Sequence, residues 1–254
     1  MVNKYLYTFL FMIIIYLVIE TLSSTTYSLI SRPQCKNVKK YEYGGLHPGN
    51  TLLIIGSVHG NEPAGHYALK ILKKKLDKKE IEITNGKLIL IPNPNFCGIK
   101  YKYRHMPGDK DINRGFPTNL TEKSHTENNK KIVEYISKTN PDIILDFHEA
   151  WSYYKMKGGS YGSTIIIQKN QNQHIVSKCI KRLNKTISEE TKKWSIITDF
   201  KGNPGSLRQY CNLIKKQYVL VETSGQLNVQ KLDKRINQNM IIINTFLKML
   251  HITN

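Results

Sequence analysis

The chain has 254 residues, 40% hydrophobic content and a formal charge of +19. That much apolar material argues against intrinsic disorder and suits one domain plus a targeting segment. The charge is still +18 when residues 1–32 are set aside, because only Lys4, Glu20 and Arg32 leave with them, so it belongs to the folded part. Such a charge could draw an anionic polymer. The lysines are scattered, however, apart from 73–75 and 78–79, and no RNA- or DNA-binding motif accompanies them. A solvated basic surface without a dedicated nucleic-acid site is expected.

Lys4 precedes a nearly unbroken apolar run over residues 5–19, and a polar stretch follows. The run is short for a bilayer span, which needs about 20 residues. Its layout resembles a secretory leader, cleaved or kept as an anchor. Residues 1–32 are therefore expected to form a signal peptide or signal anchor, and 33–254 the main domain. A secreted or membrane-anchored location follows, with membrane contact only through the N-terminal segment. Asn119-Leu120-Thr121 and Asn184-Lys185-Thr186 are glycosylation sequons, which agrees with that route. Cys35, Cys97, Cys179 and Cys211 allow two disulfides in three connectivities, with lone buried thiols as the other reading.

Residues 51–56 form a short apolar run between turn residues, the pattern of a strand covered on both faces. Pro63 suits the start of a helix reaching residue 76, with Ala64, Tyr67, Ala68, Ile71 and Leu72 at helical spacing. A second strand is predicted over 87–92. The long segment 93–119, rich in Pro, Gly, Tyr and charge, reads as a functional loop. A helix over 127–138 and a strand over 143–147 follow. Then come a strand over 164–168, a helix over 173–184, a strand over 196–200, a short helix within 205–215, a strand over 218–221 and a helix over 229–251. Strands alternating with helices predict an α/β fold, a three-layer αβα domain with a mainly parallel mixed central sheet.

In such sheets ligands bind at the carboxyl ends of the strands. His59, His148 and Glu222 each follow or end a predicted strand, and Glu62 lies one turn after His59. Two neutral imidazoles and one carboxylate from His59, His148 and Glu62 leave a zinc ion an open position for water, the catalytic pattern. Glu222, arriving from a different strand, is the candidate general base. Asp111-Ile112-Asn113-Arg114-Gly115-Phe116-Pro117 lies in the long loop, where Asn113 and Arg114 read as an anion clamp. His66 could join His59 and Glu62 on one helix face, although Gly60 and Pro63 argue against a continuous helix through all three.

Together, His59-Gly60-Asn61-Glu62, the Asp111–Pro117 segment, Asp146-Phe147-His148 and Val221-Glu222-Thr223 resemble the zinc carboxypeptidase superfamily, in particular its succinylglutamate desuccinylase and aspartoacylase branch. The resemblance covers roughly residues 49–225. It implies one Zn2+ per chain on His59, Glu62 and His148, a substrate carboxylate on Asn113 and Arg114, Arg104 polarising the scissile carbonyl, and Glu222 as general base. Few residues follow Glu222, so the additional C-terminal β domain of aspartoacylases is not expected. The implied activity is hydrolysis of an amide bond beside a free carboxylate, in an N-acyl amino acid or a short peptide. The alternative is an inactive carboxypeptidase-like protein that binds an acidic polymer through its basic surface.

Overall fold

A computed structural model of the chain describes residues 9–21, 35, 37–106, 108–198 and 200–254. Residues 9–21 form helix α1, with exposed side chains, and the expected leader boundary at residue 32 lies outside the described residues. Among the described residues no helix is long and apolar enough to cross a membrane.

The domain runs β1 (Tyr41–Gly44), β2 (His47–Gly56), α2 (Ala64–Asp77), β3 (Asn85–Ile91), α3 (Phe96–Tyr101), α4 (Glu127–Thr139), β4 (Ile143–Ala150), β5 (Thr164–Ile167), α5 (Gln173–Asn184), β6 (Ser195–Ile197), α6 (Leu207–Leu213), β7 (Gln217–Ser224) and α7 (Leu232–Met249). The seven strands form one sheet in the order β1-β3-β2-β4-β7-β5-β6. The β1/β3 and β5/β7 pairs are antiparallel and the others parallel. This is the expected mixed, mainly parallel α/β sheet.

Alternate residues of β2 face opposite layers because the side-chain period of a strand is two. Leu52 and Ile54 pack with Leu69 and Leu72 of α2, Val176 of α5 and Phe246 of α7. Leu53 and Ile55 pack with Ile132 and Ile136 of α4 and Leu207 of α6. Local chemistry sets the helix limits. Pro63 occupies the N-cap of α2 at φ −81°, and Lys74 and Lys75 lie in its last turn, where the carbonyl end favours cations. The Thr126 side chain accepts from the Asn129 N–H at the start of α4, and Asn140 ends that helix in the left-handed region before Pro141.

Several elements differ from the sequence reading. β1 is four residues long and half-buried, too short to produce a pattern. α3 lies inside the segment read as a loop. β4 and β7 extend to Ala150 and Ser224 because they continue to pair with each other through polar residues. β6 stops at Ile197 rather than residue 200, since it has only β5 as a partner. Of the two disulfides considered, one is present, between Cys35 and Cys97. Cys179 and Cys211 are buried free thiols, and burial pushes the Cys179 thiol up to about 12.

From β2 the chain passes to β3 on one side, then crosses to β4 on the other. The carboxyl ends of β2 and β4 therefore flank a topological switch point, where such sheets open a crevice. Gly56 closes β2 against α2: a Cβ there would sit 2.8 Å from the Gly65 carbonyl carbon. Gly56→Ala should cost about 1–3 kcal/mol, as overpacking does, and lower the denaturation midpoint. Gly44→Ala, where nothing lies within 4 Å of the added carbon, should leave it unchanged. Equal midpoints would show that α2 backs away freely.

Candidate metal centre

His59 and Glu62 sit in the turn between β2 and α2, and His148 lies on β4, next to Glu222 of β7 in the pairing register. The Nδ1 atoms of His59 and His148 are 3.1 Å apart. Glu62 closes the group, with Oε1 at 2.9 Å from His59 Nδ1 and Oε2 at 2.8 Å from His148 Nδ1. All three side chains are buried. Among the described residues this is the one His, Cys, Asp or Glu group with metal-holding geometry. His66 is not part of it; its Nδ1 lies 3.2 Å from the Pro92 carbonyl.

The far nitrogen of each imidazole meets a carboxylate. His59 Nε2 lies 3.1 Å from Asp111 Oδ1, and His148 Nε2 lies 3.2 Å from Asp146 Oδ2. With a cation on the group, those contacts would hold the proton on Nε2 of both rings and leave both Nδ1 lone pairs to face the ion. Three electron-pair donors then converge on one buried point, which suits a cation such as zinc. The electrostatics agree. Burial alone would raise the Glu62 pKa, but the charges of His59 and His148 outweigh it and hold the carboxyl well below its usual range. Burial alone would lower His148, but Asp146 and Glu62 raise it well above the ordinary imidazole value. The site stabilises positive charge at its centre.

The seven residues singled out from the sequence line one cleft of about 380 Å³. Arg104 donates from Nε to Asp111 Oδ2 at 3.0 Å and from Nη1 to Glu62 Oε1 at 3.4 Å, so it leans over the donor group. Asn113 accepts the Leu207 N–H on Oδ1 at 2.9 Å, which turns its Nδ2 amino group into the role of donor to a ligand. Arg114 is exposed, with Nη1 2.6 Å from the Asn113 carbonyl. Glu222 is half-buried; desolvation raises its pKa, the charges of Glu62 and Asp146 add to the rise, and His148 and Arg104 oppose it.

Several neighbours of these residues escaped the sequence reading. Arg208 lines the cleft at 3% exposure, held by the carbonyls of Phe200 at 2.9 Å and Ile167 at 3.2 Å. Its Nη1 is buried without a hydrogen-bond partner. Asp146 also accepts from the Tyr218 hydroxyl at 2.7 Å. Gln226 donates to Glu62 Oε1 at 3.0 Å, and the Glu149 N–H donates to Glu62 Oε2 at 3.1 Å. Glu149 itself pairs with Arg235 of α7 and accepts the Ala64 N–H at 2.6 Å. Asp111 and Asp146 were visible within quoted motifs. Nothing local marks Arg208, Gln226 or Arg235.

Asp111→Asn should weaken zinc binding by about 10- to 100-fold, the usual effect of losing a carboxylate behind a ligating histidine. Competition with a chelator of known affinity reads this directly. An unchanged dissociation constant would mean that Asp111 does not orient His59.

Residues 48–247 match the family described as the succinylglutamate desuccinylase/aspartoacylase catalytic domain. No curated protein matches the chain. Among solved structures it resembles product-bound Cell Shape Determinant protein Csd4 from Helicobacter pylori, with a TM-score of 0.69 and 19% identity over 85% of this chain and 56% of that one. The mDAP-bound form of Csd4, described as a D,L-carboxypeptidase, gives a TM-score of 0.67 at 18% identity, over 84% of this chain and 54% of that chain. A succinylglutamate desuccinylase from Silicibacter sp. TM1040 gives 0.58 at 16% identity, over 85% and 61% respectively. The chain thus spans little more than half the length of the Csd4 structures, and these likenesses concern the fold. The match over residues 48–247 covers most of the sequence, and the chain belongs to the succinylglutamate desuccinylase/aspartoacylase family.

Proposed function

We propose that this protein is a zinc-dependent hydrolase that cleaves an amide bond beside a free carboxylate, in an N-acyl amino acid or a short peptide. The observation that carries the reading is one cleft containing the His59–Glu62–His148 donor group, the Glu222 carboxylate and the Asn113–Arg114 pair. A zinc ion on the three donors would supply Lewis acidity that acidifies water and polarises a carbonyl. Asn113 Nδ2 and the Arg114 guanidinium bind the substrate carboxylate, and the buried Arg208 Nη1 adds a second cationic wall. Arg104 donates to the oxygen that gains charge during attack. Glu222 accepts the proton of the attacking water and returns it to the leaving amine nitrogen.

Export by way of the N-terminal segment belongs to the same reading. The Cys35–Cys97 disulfide supports it, since such bonds persist in oxidising compartments.

Glu222→Gln should keep zinc and fold, because the amide is nearly isosteric, while kcat falls by at least about 10²-fold with KM little changed. Loss of zinc in this variant would make Glu222 a ligand rather than the base. Arg114→Ala should reduce kcat/KM on free-acid substrates by about one to two orders of magnitude, since charge-assisted bonds are worth about 1.5–3 kcal/mol. If the parent protein hydrolyses amidated and free-acid substrates equally well, the clamp assignment is wrong.

A further inference from the structure

The loop bearing His59 and the backbone of Arg104 meet over α3, a six-residue helix with no role in the chemistry above. Asn95, buried just before α3, makes three hydrogen bonds with its one side chain. Nδ2 donates to the Val58 carbonyl at 3.0 Å and to the Arg104 carbonyl at 2.8 Å, and Oδ1 accepts the Gly98 N–H at 3.0 Å. Val58 immediately precedes the ligand His59, and Arg104 places its guanidinium on Glu62 and Asp111. The Gly60 N–H completes the arrangement by donating to the same Arg104 carbonyl at 3.1 Å. Gly60 and Gly98 lie in backbone contact, since a Cβ on Gly60 would fall 1.9 Å from the Gly98 carbonyl carbon.

A helix as short as α3 is not stable by itself, so outside ties fix its position. Cys97, in its first turn, is bonded to Cys35. Asn128, in the first turn of α4, donates to the Pro94 carbonyl at 2.6 Å and to the Cys35 carbonyl at 3.1 Å. Both ties flank Asn95.

We propose that Asn95 is a positioning residue that locks the His59 loop and Arg104 into one register, and that the Cys35–Cys97 disulfide holds Asn95 in place. The inference rests on the zinc-hydrolase reading. Asn95 touches neither metal nor substrate; it fixes the distance between the group that binds the ion and the group that meets the developing oxyanion. Three hydrogen bonds made by the two polar atoms of one buried side chain make the support rigid.

The test follows zinc release from the zinc-loaded full chain into excess chelator, well below the melting temperature. Asn95→Ala should release zinc about 10- to 100-fold faster, the scale at which lost support weakens a metal site. The double variant Cys35→Ser/Cys97→Ser, with Asn95 intact, should fall between Asn95→Ala and the parent. Tyr135→Phe is the control: it removes the hydroxyl that donates to the Val38 carbonyl at 2.8 Å, away from the site, and should release zinc at the parental rate. Matching rates for Asn95→Ala and Tyr135→Phe overturn the inference. If Asn95→Ala does not fold, the cysteine variant decides, and a parental rate there overturns it. A parent chain that takes up no zinc overturns the hydrolase reading and this inference together.

Discussion

Two imidazole nitrogens facing each other 3.1 Å apart, with a carboxylate closing the triangle, form the arrangement around which the rest of this molecule is organised. Such a cluster of donors needs positive charge at its centre, and burial removes the water that would otherwise screen it. The fold has to impose this convergence. It does so by laying β2 beside β4 in parallel register, Gly56 opposite Phe147, so that the turn after one strand faces the end of the other. A contact as close as Gly56 on Gly65 keeps α2 tight against that strand end.

Around the donor group lies a shell of charges that would be costly without partners. Asp146 is fully buried but meets His148 and Tyr218. Glu149 is buried but meets Arg235 and the first N–H of α2. Burial raises the Glu149 pKa, and the Arg235 charge and the Ala64 N–H act against the rise. Pairs of this kind add little net stability, since desolvation offsets much of the attraction. Their value here is geometric: each fixes a backbone segment that carries a ligand or holds Glu62 in orientation.

The opposite wall of the cleft is built differently. Asn113 and Arg114 come from a short helical turn capped by Asp111, and Arg114 packs beneath Gly205, where a Cβ would lie 2.4 Å from its carbonyl oxygen. Gly205 has φ +71°, which a glycine adopts without cost. Asn113 and Arg114 are thus held by the loop preceding α6, and the Leu207 N–H at the head of α6 fixes the Asn113 amide. Asp111 ties this wall to the donor group, since it caps the turn carrying Asn113 and Arg114 and also meets His59 Nε2.

The amino-acid sequence by itself determined the α/β class, because buried parallel strands must be apolar on both faces and the runs at 51–56 and 143–147 announce that. It also marked His59, Glu62, His148, Asn113, Arg114 and Glu222, since each stands in a short motif at or beside a strand end or in the long loop, whereas Arg104 entered only through the family resemblance. The tertiary structure alone decided which nitrogen of each imidazole faces inward, because Asp111 and Asp146 reach those rings only in the fold. It likewise decided the surroundings of Asn95, Arg208, Gln226 and Arg235. Their chemistry depends on contacts far along the chain, such as Arg235 with Glu149 and Gln226 with Glu62. A local pattern records what a segment will become; it carries no record of what that segment will meet.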